Sequence, residues 1–239
     1  MHVVLPELDG RILAGAISFK DETEVDAALG FRAFTNRTEP DRIDQVARRI
    51  SAFLRLQREP RGERRIAILM PDYPAAPGRT GYAVGLDVPS SVIAMMHDLK
   101  EAGYSVEGIP HSPRALLDLL EQAMDGLDLA SYRQAFSGLP ANARRAVEEA
   151  WGPTEESRFS FRAARFGNVT VALAPDRGKS ADRRADYHDP TLPPRHELVA
   201  FGLWLQRTLD VHAIVHVGAH GTLEWLPGKT VALAQDCFP

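Results

Sequence analysis

Residues 213–229, AIVHVGAHGTLEWLPGK, constrain the fold of this chain more than any other stretch. Ala213, Ile214, Val215 and Val217 form a short, largely β-branched run that stops at Gly218, the pattern of a buried strand. His216, His220 and Glu224 follow at intervals of four, so two imidazoles and a carboxylate gather where that strand ends. In a parallel sheet, the carboxyl end of a strand is where open α/β folds place their ligands. Gly218 and Gly221 interrupt any helix and let the backbone approach a bound group closely. A strand that delivers a functional loop is the expectation.

The rest of the pattern supplies a sheet for that strand to join. Residues 3–5 and 12–19 read as extended, separated by Pro6, Glu7, Asp9 and Gly10. Ile43, Val46, Ala47, Ile50, Phe53 and Leu54 recur at three and four behind Pro40, which predicts a helix over 40–57 with its arginines on the wet face. A basic connector, 58–65, feeds an apolar strand at 66–70, and a Gly- and Pro-rich loop runs from Asp72 to residue 89. Ser90 and Ser91 are placed to cap the next helix, whose stripe of Val92, Met95, Met96 and Leu99 ends at Gly103. The methionines sit on the apolar spacing and read as core. A strand at 104–109 comes next, and Ser112-Pro113 opens a helix carrying Leu116, Leu117, Leu120 and Met124.

Helical pattern then covers 127–151, with a break at Gly138-Leu139-Pro140. Alternation at Phe159, Phe161 and Ala163, a turn at Gly167-Asn168, and alternation at Val169, Val171 and Leu173 predict a hairpin. A last helix with Leu198, Phe201, Leu205 and Leu209 leads into the opening strand. The predicted architecture is α/β: a mostly parallel layered sheet with flanking helices and an attached β-hairpin. It forms one segment over 1–239, with sub-boundaries expected near 58–65 and 152–158. The chain opens on a strand-like run and stops just after an apolar one, so a segment of a longer polypeptide is expected.

Composition removes several classes. The net charge of −4, from 28 basic and 32 acidic side chains, gives no reason to expect nucleic acid. No run of eighteen apolar residues is present, which argues against a helical membrane span, and the N-terminus lacks the basic and apolar regions of a signal peptide. Cys237 is the only cysteine, which rules out an internal disulfide framework and fits a cytoplasmic location.

Imidazole and carboxylate together suit borderline divalent ions such as Co²⁺ or Zn²⁺, and either group can also accept a proton near neutral pH. The spacing does not choose between these roles. H-E-x-x-H is absent, which disfavours a zinc protease. Gly228-Lys229-Thr230 mimics the end of a phosphate loop, but Leu223 stands where its first glycine belongs. A stand-alone metallohydrolase and a non-catalytic docking module with packed histidines stay open beside a chelating site. Around the histidines, Asp72 and Glu7 are candidate wall residues, Glu7 also reading as a solvated turn carboxylate. The polar run 176–189 carries Arg177, Lys179, Arg183 and Arg184, which suits a lid that grips a polycarboxylate.

HVGAHGTLEWLPGK resembles the signature of the large subunit of aerobic, ATP-dependent cobaltochelatase, a family related to the large subunit of magnesium chelatase. MPDYPAAPGRTGYAVGLDVPSS, GNVTVALAPDRG and YHDPTLPPRH resemble it too, so the likeness covers nearly the whole chain. Trp225-Leu226 and the YHDPTLPPRH stretch look closer to the cobalt branch, with a magnesium-type subunit acting on a porphyrin as the alternative. The resemblance implies insertion of Co²⁺, as substrate, into hydrogenobyrinic acid a,c-diamide in cobalamin biosynthesis. It also implies an AAA+ ATPase and a second smaller subunit as partners that supply ATP hydrolysis, in keeping with the missing phosphate loop. On this footing His216, His220 and Glu224 are expected to handle metal or protons, with His188 as a further candidate. Arg177, Arg183, Arg184 and Lys229 are expected to pair with the corrinoid's carboxylates.

Overall fold

The computed structural model describes residues 10, 15–72, 80–178, 189–219, 226–228, 234 and 237–238. It opens with a hairpin of β1 (Ser18–Glu22) and β2 (Phe34–Thr38), followed by helix α1 (Pro40–Arg58). Pro40 stands at the start of α1, where a missing N–H costs nothing. The predicted apolar stripe forms, yet Ile43, Ile50, Phe53 and Leu54 remain between 41% and 48% exposed. A 3-10 turn (Arg61–Glu63) leads into β3 (Ile66–Met70), and a two-stranded ribbon, β4 (Tyr82–Ala83) and β5 (Leu86–Asp87), precedes α2 (Val88–Glu101). Then come α3 (Pro113–Glu121), β6 (Met124–Asp128), α4 (Leu129–Ser137) and α5 (Ala141–Trp151). β7 (Arg158–Phe161), β8 (Ala163–Phe166) and β9 (Val169–Leu173) precede α6 (His196–Leu203), which continues as a π-helical turn (Trp204–Thr208). β10 (Ala213–His216) is the strand expected ahead of Gly218.

The main sheet has the order β10-β3-β9-β8, parallel across its first three strands and antiparallel at β8. β3 and β9 are buried throughout and apolar except for Thr170, as strands covered on both faces must largely be. Alternation along β3 divides the core. Ile66, Ile68 and Met70 face α2 and α3 through Val88, Val92, Met96, Leu116 and Leu120. Ala67 and Leu69 face the other layer, where Tyr132, Phe136, Phe161, Phe201 and Trp204 pack together. Two helical layers therefore enclose one sheet.

Several local expectations change. Residues 104–109 form no strand, because the place beside β9 is taken by β8; the segment instead bonds the hairpin turn through Asn168 N–H to the Ser105 carbonyl at 2.9 Å. The hairpin is β8–β9, turned at Gly167 with φ of +66°, whereas Phe159 and Phe161 lie in β7 and pair with β6. Helix α3 stops at Glu121, and Ala123 at φ of 52° turns the chain so that Met124 begins a strand. Helical structure resumes at Leu129, not at 127. Asp87 caps α2, accepting from Ser90 N at 3.1 Å and from the Ser90 hydroxyl at 2.7 Å, so the serines donate rather than cap.

At the amino end of the parallel strands, Asp210 bridges Arg55 at 2.8 Å and Arg65 at 2.6 Å, tying α1 to the sheet. The hydrogen bond from Arg55 is the main reason that its carboxyl is held below the usual range. His212, with a side chain 1% exposed, accepts the Arg65 N–H at Nδ1 over 2.9 Å, and its Nε2 lies 3.8 Å from Glu59. Burial first, then the Arg55 and Arg65 charges, push its pKa below the ordinary value. The unfolded chain therefore binds this proton first. The stability tied to a neutral His212 is fully present above about pH 6.5 and drains away as pH falls through the lower folded value. Urea midpoints measured from about pH 7.5 down to about 5.5 should decline, and decline less in His212→Asn, which keeps an acceptor but does not titrate.

Candidate functional site

In-register pairing brings three strand ends to one rim. Leu69 stands opposite both Ala172 and His216, so Met70-Pro71-Asp72, Ala174 and His216-Val217-Gly218 emerge side by side. The ladder runs one step further, with Val217 N–H donating to the Leu69 carbonyl at 3.0 Å. Val217 turns into the core, and the exposed His216 turns the other way, onto the wall of a cavity of about 400 Å³. That cavity is mainly apolar, with Leu69, Leu198, Phe201, Leu205 and Phe238 among its lining residues. An imidazole beside an apolar cleft is suited to a large flat ligand that carries a polar centre.

Asp72 sits at the base of the Gly-rich loop, bridged to Thr80 across it. Its carboxylate takes a hydrogen bond of 2.6 Å from Arg162, whose other terminal nitrogen reaches Glu121 and, at 3.4 Å, the Thr80 hydroxyl. Arg177 is only 3% exposed and donates to the carbonyls of Asp189 and Leu192, while its own carbonyl accepts the Arg195 N–H. It therefore joins the two flanks of the polar run. His188, His220, Glu224, Arg183, Arg184, Lys229 and Glu7 lie outside the described residues. Among the described residues, no group of three or more His, Cys, Asp or Glu side chains is arranged to hold a metal.

Two features escaped the sequence reading. His196 is buried and joined to Tyr132: the tyrosine hydroxyl meets Nδ1 at 2.6 Å and Nε2 meets the Gly152 carbonyl at 2.8 Å. The carbonyl can only accept, so Nε2 carries the hydrogen and Nδ1 receives one from the phenol. Burial raises the Tyr132 pKa, which keeps that hydroxyl a donor. This pair locks α6 to α4 and to the end of α5; nothing in the spacing of His196 signals it. The second is Arg162, which lies between β7 and β8 with Arg158 and Arg165 close by in sequence.

With this geometry in hand, comparison with known proteins defines the class: the model of the CobN/magnesium chelatase family matches residues 1–239, and the chain belongs to that family. Within it, aerobic cobaltochelatase subunits CobN are similar along the whole chain. The one from Pseudomonas aeruginosa is 37% identical over 267 residues, 100% of this chain and 21% of that protein. The one from a Sinorhizobium species is 36% identical over 256 residues, 100% of this chain and 20% of that protein. A magnesium-chelatase subunit from Chlorobaculum parvum is 28% identical over 250 residues, 98% of this chain and 19% of that protein. The solved catalytic subunit of cobaltochelatase from Mycobacterium tuberculosis superposes with a TM-score of 0.78 at 32% identity, covering 98% of this chain and 21% of that one. The chain thus spans about a fifth of the length of these relatives. The α/β class with parallel strands and small hairpins agrees with that structure. No helix among the described residues is long and apolar enough to cross a membrane.

Arg177 gives the site a stability test. Arg177→Met removes the donors from two carbonyls at a buried position and should lower the unfolding free energy by about 1–3 kcal/mol. Urea titration measures it; an unchanged midpoint would mean that the carbonyls bond elsewhere at no cost.

Proposed function

We propose that this chain is part of the tetrapyrrole- and metal-handling subunit of a cobaltochelatase. In this reading it takes part in inserting Co²⁺ into hydrogenobyrinic acid a,c-diamide during cobalamin biosynthesis. The observation that carries the reading is similarity over the entire chain to CobN subunits at 36–37% identity, against 28% for a magnesium-branch relative. The cleft beside His216 supports it, because a macrocycle needs an apolar wall for its face and a polar group at its centre. ATP hydrolysis is assigned to partner subunits, an AAA+ ATPase and a second smaller protein.

Chelation sets the requirements on the residues. A ring N–H must give its proton to a base as the nitrogen lone pair bonds to the metal, while the metal sheds water. His216 would accept that proton or hold Co²⁺ in passing; His220 and Glu224, which follow it in the sequence, would share the two roles, with His188 as a further candidate. A closed four-ligand site would keep its ion, so an open and weak one is required. Arg183, Arg184 and Lys229 would pair with the corrinoid's carboxylates. Arg177 would contribute by fixing the flanks of the run that carries the first two, and Asp72 and Glu7 would complete the wall.

Titrating the chain with hydrogenobyrinic acid a,c-diamide, followed by visible absorption, tests the reading. Saturable binding is expected, weakened about tenfold or more in His216→Ala, the loss of one strong polar contact. Binding by a full-length relative but none by this chain would overturn the assignment of the tetrapyrrole site to it. In the complete complex, His220→Ala and Glu224→Ala should abolish insertion while ATP hydrolysis continues; wild-type insertion rates would remove both from the mechanism.

A further inference from the structure

The strand register builds the rim on which His216 stands, and a residue outside β3, β9 and β10 adds side-chain contacts to it. Arg162 lies between β7 and β8, and its carbonyl accepts the N–H of Leu173, the last residue of β9. Its guanidinium turns to the end of β3, where one nitrogen donates to Asp72 at 2.6 Å and the other reaches Thr80 at 3.4 Å and Glu121 at the end of α3. One side chain therefore joins both residues of the Asp72–Thr80 bridge to a neighbouring helix, while its backbone fixes the adjacent strand end. β10 is already bonded to β3 through Val217 and Leu69. Arg162 thus bonds at two of the three strand ends, and the third is tied to one of these.

The choice of side chain fits this task. A planar guanidinium offers donors in fixed directions to several acceptors at once, which a lysine ammonium cannot match. Two carboxylates, Asp72 and Glu121, both bond this cation, so removing it takes a charged partner from each. The bonds sit at the rim, outside the two apolar clusters that hold the sheet, and Arg162 keeps a third of its side-chain surface exposed.

We infer that Arg162 is a positioning residue for the candidate site: through Asp72 and Thr80 it sets the end of β3 and the Asp72–Thr80 bridge relative to His216. The functional half of this inference rests on the tetrapyrrole reading; the geometric half does not.

Two measurements separate the halves. The first is trypsin cleavage of the native chain after Arg79, next to Thr80, compared with cleavage after Arg133 in α4, which reports general unfolding. Arg162→Gln should raise the Arg79 rate about tenfold relative to Arg133, as loss of a charge-assisted hydrogen bond implies. Arg162→Lys should recover only part of it, and Asp72→Asn combined with Arg162→Gln should add little to Arg162→Gln alone, since the two act as a pair. Equal acceleration at both sites would reduce Arg162 to a general stabiliser, and no acceleration at Arg79 would overturn the inference. The second is the corrinoid titration, in which Arg162→Gln should weaken binding about tenfold. Unchanged affinity in a variant whose Arg79 cleavage has risen would remove Arg162 from the site. Failure of the wild-type chain to bind corrinoid would count against the proposed function, and the cleavage ratio would still decide the geometric inference.

Discussion

Everything in this molecule depends on β3 being paired on both edges and covered on both faces. Its five residues are fully enclosed, with β10 on one side, β9 on the other, and a helical layer above and below. Each large apolar side chain so buried contributes on the order of 1.5–3 kcal/mol, and every backbone polar group must then find its partner in a neighbouring strand. That second requirement is the stricter one. It fixes the register of β9 and β10 against β3, and the register in turn decides which residues reach the rim.

The rim is therefore a by-product of the core. Because Leu69 aligns with Ala172 and His216, the proline and aspartate past β3, the histidine that ends β10 and the glycine beyond it converge through the register alone. Side chains from elsewhere then refine the arrangement: Arg162 acts on the end of β3, and Arg177 on the run beyond β9. The opposite end of the strands carries a different chemistry, an ion network of Arg55, Arg65 and Asp210 around the neutral His212, which serves attachment of α1.

What could be read from the sequence was what depends on local pattern. The helix from Pro40, the buried strand at 66–70, the tight turn at Gly167 and the strand ending at His216 all follow from periodicity and turn chemistry over a few residues. Residues 104–109 have as good a strand pattern as β8, and only the competition for the one open edge beside β9 decides between them. The pairing of β6 with β7, separated by two helices, is equally non-local. At the site, His216 announced itself by clustering with other histidines. Arg162 and the His196–Tyr132 pair did not, because each gains its meaning from partners dozens of residues away. Asp87 was passed over for the neighbouring serines, although an acidic residue just ahead of a helix is as good a cap as a hydroxyl.

The pairing of Ile66 with Ala213 has a consequence for how the protein is made. β3 is synthesised well before β10, and until β10 follows, one edge of an apolar strand lacks its partner. Loop closure of that length is slow to reward, and a bare apolar edge invites pairing with other chains. The helical layers and the β8–β9 hairpin can assemble on β3 first and shield its faces, but only β10 closes the edge. The strand that delivers the histidine to the rim is thus also the one that covers the exposed edge of β3, so one pairing serves both protection from aggregation and the site.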